Sequence, residues 1–157
     1  PRLAARTLAL LDGFLAAAGK ARPAFWTSAF TAWHVYADAT QARREARRWL
    51  LLRGIFRPWL LEEFLEPADA ARVMHSQPAL LNAFMTGSAD VEGVPDHVLD
   101  ALVDNVTICS SIGDLEPAIQ KLRQLSSTGL GAVALRLYAD PAASIRLIGD
   151  RVIPALK

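Results

Sequence analysis

Four side chains have the types and spacing that ligand chemistry needs. His34 and Tyr36 lie two apart in a run rich in strand formers, and Arg136 and Tyr138 lie two apart in another. Residues two apart on a strand share a face, so one pair presents an imidazole and a phenol to the same side, and the other a guanidinium and a phenol. A guanidinium inside an apolar strand is costly unless it is paired or faces a wet cavity. Arg136 is therefore either the partner of an anionic ligand group or one half of an ion pair with Asp140 or Asp104. His34, near the C-terminal end of its run, is either a ligand contact or a packed ring bonded to backbone.

The remaining candidates are weaker. Arg43, Arg44, Arg47 and Arg48 stand opposite an apolar stripe of Ala42, Ala46, Trp49 and Leu50. They could grip phosphate, but charge runs on outer helices are usually solvated faces, and that reading is preferred. Ser110-Ser111-Ile112-Gly113-Asp114 before a helix resembles an anion-binding N-terminus, yet the Asp114 carboxylate would repel a phosphate there. The three histidines, His34, His75 and His97, lack the spacing of metal ligands, so no metal site is expected. Glycine-rich phosphate loops and the nucleophile elbow are absent. From these motifs no catalytic residue can be assigned.

The elements that would position the four side chains follow from periodicity. Residues 2–18 read as a helix stopped by Gly19, and residues 24–37 as a strand. Asp38 and Thr40 then lead into a helix over 40–53. Helices are expected over 59–66 and 67–85, the latter bent or split at Pro78, and over 96–103, with a polar loop at 86–95 between them. Asn105 to Cys109 is a brief strand-like run, and Asp114 caps a helix carrying Leu115, Ile119, Leu122 and Leu125. The last strand is 132–138, and Asp140-Pro141 opens a final helix over 142–153 that Pro154 should stop. Two of these strand-to-helix turns are βα units, which put chemistry at the strand's C-terminal end.

Composition limits the possible classes. The chain has 157 residues, 52% of them apolar, which suits one packed domain rather than a disordered segment. Its 17 basic and 16 acidic residues nearly cancel, so no nucleic-acid surface is expected. No apolar run is long enough to cross a bilayer. The single Cys109 fits a reducing compartment, and a cytoplasmic location is the expectation. A helix that starts at once after Pro1 reads as an internal beginning, that of a fragment.

Order and wording of the motifs add a resemblance. Ala18-Gly-Lys-Ala-Arg-Pro23, then the strand Phe25 to Tyr36, then Asp38-Ala-Thr-Gln-Ala42-Arg-Arg-Glu-Ala46-Arg resemble late segments of the bacterial-luciferase-like superfamily. These are flavin- or deazaflavin-dependent monooxygenases and reductases. Gly113-Asp-Leu-Glu116, Thr128-Gly-Leu130, Ala132 to Tyr138 and Ile153-Pro-Ala-Leu156 match the family's closing segments in order. Asp114 and Leu115 replace the usual Thr-Pro, and one extra residue separates Gly19 from Pro23.

The resemblance implies an α/β chain, helix-rich, forming the C-terminal portion of a TIM-type (β/α)8 barrel. Residues 1–157 would be a single partial domain supplying about the last two strands, with 56–103 a helical insertion before the last βα unit. It further implies an oxidoreductase using FMN or a deazaflavin, which would be bound mainly by the missing N-terminal part. That enzyme would transfer hydride or activate oxygen, acting on a small-molecule substrate as a homodimer. His34, Tyr36, Arg136 and Tyr138 would line the barrel mouth as cofactor or substrate contacts, and the segment alone would be inactive. Two alternatives are a non-catalytic helical interaction module, with residues 56–61 as its aromatic surface, and a cofactor-free homologue that keeps the fold.

Overall fold

The computed structural model describes residues 1–157, the side chain of Ala24 excepted. Helix α1 (Arg2–Ala17) ends at Gly19, whose φ of 66° is the left-handed conformation that suits glycine. A 3-10 turn (Arg22–Ala24) leads to strand β1 (Ser28–Tyr36). Helix α2 (Ala39–Arg48) begins at Asp38, whose carboxylate accepts a bond from the Gln41 amide at 2.8 Å. A 3-10 turn over Leu50–Arg53 extends it.

Four helices follow: α3 (Pro58–Leu61), α4 (Pro67–His75), α5 (Gln77–Thr86) and α6 (Asp96–Val106). The split between α4 and α5 falls at Ser76, because Pro78 is tolerated only in the first turn of a new helix. Strand β2 (Thr107–Ser111), helix α7 (Glu116–Ser126) and strand β3 (Ala132–Leu137) complete the sheet. Helix α8 (Pro141–Leu147) opens on Asp140, whose side chain accepts from the amides of Ala142 and Ala143.

The helix does not stop at Pro154. It widens into a π turn over Ile148–Val152 and continues as α9 (Ile153–Leu156). Proline in a regular helix loses one bond and presses on the carbonyl four residues back. A π turn just ahead re-spaces the bonds and makes room for the ring, so the chain passes through.

All three strands are parallel and lie in the order β2-β1-β3. There are thus three, not two, because the strand-like run at 105–109 settles as β2 at 107–111. Ala32 is level with Thr107 on one side and Arg136 on the other, and Trp33 is level with Ile108 and Leu137. The connection from β1 to β2 runs one way along the sheet, and that from β2 to β3 returns across β1. Right-handed crossovers in opposite directions require helices on opposite faces, and the packing agrees. Trp33 and Val35 pack with Ile108, Ile119, Leu122 and Val152 on the face covered by α7 and the C-terminal helix. On the other face, α2 lies over β1 and β2, burying Ala32, His34, Ala42 and Ala46 completely.

The helices of 58–106 enclose a second core, in which Leu50, Ile55, Leu61, Val73, Leu99 and Leu102 are fully or nearly fully buried. Two expectations about surfaces change as a result. Residues 56–61 are not an exposed aromatic patch: Phe56 packs against this core and Leu61 is buried, leaving Trp59 outside. The arginines of α2 are not simply solvated. Arg47 holds Asp96 and Asp100 at 2.8 Å each, and Arg43 holds Asp100 and Asp104 at 3.0 Å, tying α2 to α6.

One carbonyl at the start of β2 is held from the helix that follows the strand. Lys121 of α7 donates its ammonium protons to the carbonyls of Asp104 and Thr107. Burial there draws the Lys121 ammonium down to about 8.

Candidate functional site

The β1 connection leaves toward one face of the sheet and the β3 connection toward the other. Open parallel sheets place ligands in the crevice that such a divergence leaves at the strands' C-terminal ends. His34 and Tyr36 of β1 lie there, with Tyr138 one residue beyond β3 and Arg136 within it. Register explains the convergence. Arg136 is level with Ala32 across the β1–β3 pair, so two residues on, Tyr138 meets His34.

The four side chains form one cluster. The Tyr138 ring stacks on His34 with centroids 4.5 Å apart and planes 15° apart, and His34 stacks more distantly on Tyr36 at 6.3 Å. Arg136 stands over the Tyr138 ring, its guanidinium carbon 5.1 Å from the centroid. Two further residues complete the group, and sequence reasoning marks neither as a ligand contact. Trp49, at the end of α2, tilts against Tyr138 at 4.6 Å. Arg53 donates a hydrogen bond to the Tyr138 hydroxyl and covers its ring at 5.3 Å. A signal for both exists only if the helix expected over 40–53 is regular, since residues four apart then share a side; the structure winds Leu50–Arg53 as a 3-10 turn instead.

Burial sets the electrostatics. His34 is fully buried, and neither ring nitrogen has a hydrogen-bond partner, so the packed-and-bonded alternative is only half right. Desolvation, with the Arg53 charge second, pulls its pKa from 6.5 to about 3, and the ring is neutral at physiological pH. Burial likewise pushes the Tyr36 phenol up to about 12, with Glu45 adding to the effect. Burial lowers the Arg53 pKa too, and Arg136 repels its charge.

The acidic partners expected for Arg136 are engaged elsewhere. Asp140 caps α8 and Asp104 holds Arg43. Among the described residues, neither Arg53 nor Arg136 makes a salt bridge. Also among the described residues, no group of three or more potential ligands could hold a metal ion. Among the described residues, no helix is long and apolar enough to cross a membrane.

No family model matches the chain. A 5,10-methylenetetrahydromethanopterin reductase of Archaeoglobus fulgidus is 35% identical over 152 residues, covering 94% of this chain and 43% of that protein. The chain therefore spans less than half the length of this relative. A coenzyme F420 dependent tetrahydromethanopterin reductase from Methanopyrus kandleri shares the fold over 89% of this chain and 38% of its own. The TM-score is 0.64 and the identity 17%, so this second likeness speaks for the fold alone. The α/β class and the likeness to part of a barrel enzyme, both expected from the motifs, are borne out. By sequence and by fold, this chain is a homologue of the C-terminal part of a methylenetetrahydromethanopterin reductase of the luciferase-like superfamily.

Proposed function

We propose that the protein containing this segment is a deazaflavin-dependent reductase acting on a one-carbon unit carried by a pterin-like molecule. The observation that carries this reading is the 35% identity that runs through 94% of the chain to a protein bearing that activity's name. Coenzyme F420, named for the structural neighbour, is the preferred cofactor over FMN. Hydride transfer is accordingly preferred over oxygen activation.

The residues present fit a flat heterocycle with oxygen-bearing edges. They offer the aromatic faces of Tyr138 and Trp49, the charges of Arg53 and Arg136, and no carboxylate in an ion pair with either arginine. When bound, the deazaflavin supplies the hydride. This chain's own residues do the holding. Arg136 and Tyr138 contact the ligand at the mouth, Tyr36 lies beside them, and His34 supports Tyr138 from beneath as a neutral ring. Residues 56–103 are the insertion in this reading, and α5 within it reaches the cluster through Phe84, which packs edge-on against Trp49 at 5.3 Å.

The test is turnover by the intact protein with reduced coenzyme F420 and 5,10-methylenetetrahydromethanopterin, followed by the cofactor's absorbance. Oxidation of the cofactor that depends on the pterin substrate supports the reading. Absence of both cofactor binding and turnover in folded protein would overturn it.

A further inference from the structure

Two guanidiniums meet on one tyrosine without a counter-charge. Arg53 and Arg136 approach the Tyr138 ring at 5.3 and 5.1 Å, and Arg136 also faces Trp49 at 5.9 Å. One comes from the turn after α2 and the other from β3, so the fold brings them together from distant parts of the sequence.

Like charges this close repel. Burial is the main cause of the lowered pKa values of Arg53 and His34, and the charge of Arg136 on Arg53 and of Arg53 on His34 adds to it. Cation–π contact and the bond to the tyrosine hydroxyl offset part of that cost, but neither neutralises charge. The Arg53 Nε is buried without a partner, as are those of Arg47 and Arg48, but carboxylates hold the forks of Arg43 and Arg47 and none holds that of Arg53. A cavity of about 270 Å³ next to Arg53, lined also by Phe30, Arg57 and Trp59, is lined by neither Arg136 nor Tyr138 and is separate from the place where the two guanidiniums meet.

We propose that Arg53 and Arg136 form a two-arginine clamp for an oxyanion, a phosphate or carboxylate group of the ligand, with Tyr138 as the platform between them. A guanidinium fork suits such a group because its parallel N–H donors match two oxygens at once. Arg136, exposed at the mouth, admits the anion, and Arg53, half-buried and held by Tyr138, defines where it rests. This rests on the ligand site of the reading above and deepens it, but its test does not require the reaction.

The experiment titrates the intact protein with inorganic phosphate and separately with glutarate, at low ionic strength, reading heat or the fluorescence of the tryptophans near the site. Arg53→Gln and Arg136→Gln should each weaken binding of the preferred anion at least about tenfold. Arg146→Gln, on exposed α8, should leave it unchanged. Arg53→Lys and Arg136→Lys keep the charge but lose the fork. They serve if a glutamine variant fails to fold, and should bind several-fold more weakly than the parent. Binding of phosphate alone or of glutarate alone supports the clamp and identifies the group. No saturable binding of either anion, or equal binding by parent and both arginine variants, overturns it. Anion binding without F420-dependent turnover would overturn the reductase reading and leave the clamp standing.

Discussion

His34 gives the most direct test of the electrostatics. Its pKa falls from 6.5 to about 3 on folding, because the ring is fully buried and its nitrogens lack partners. The unfolded chain takes up a proton as pH drops through 6.5, while the folded chain does not until about 3. Stability from this residue is therefore complete above 6.5 and is lost progressively as pH falls toward 3. Between about pH 8 and pH 5 the loss is about 2 kcal/mol, since 1.36 kcal/mol multiplies roughly 1.5 logarithmic units of extra proton binding by the unfolded state. A folded pKa one unit higher would barely change that figure, because the folded ring would still be mostly neutral at about pH 5.

The comparison needs His34→Phe, which keeps a ring against Tyr138 and removes both nitrogens. Urea unfolding of parent and variant at the two pH values gives a double difference in which the carboxylates cancel. The parent should lose about 2 kcal/mol more than the variant over this range. Equal losses would show that the imidazole is hydrated or protonated in the fold rather than desolvated by burial.

Three other outcomes follow from the packing. Trp33→Ala should cost about 3–5 kcal/mol in urea unfolding, and Trp33→Phe much less, because the buried indole nitrogen has no partner to lose. A double-mutant cycle on Arg47→Gln and Asp100→Asn should give a coupling of about 1 kcal/mol that shrinks in high salt, since Asp100 is partly exposed. Lys121→Ala should cost about 1–3 kcal/mol in urea unfolding, because it leaves the Asp104 and Thr107 carbonyls without their donor.

Local chemistry is legible in the sequence wherever one residue decides the outcome. Asp38 and Asp140 cap helices because their carboxylates reach orphan amides, and Pro78 splits a helix because it cannot donate to one. The pairing of His34 with Tyr138 is legible only in part. Spacing shows which residues share a face, but not that β3 joins β1 with Arg136 level with Ala32. Trp49 reads as an inward apolar residue, and it is, yet what it packs against is the candidate site. Pro154 misleads because the rule against proline assumes a regular helix, and the preceding π turn suspends that assumption. The partners of Arg43 and Arg47 lie on α6, beyond three intervening helices, a separation at which periodicity carries no information.

The bond from Lys121 to the rim of β2 leaves the two borders of the sheet unlike. The first carbonyl of β2 is taken by a lysine, while the far side of β3 carries a ladder open to further pairing. A strand that pairs with β3 therefore arrives on the hand where Arg136 sits, beside the arginine clamp.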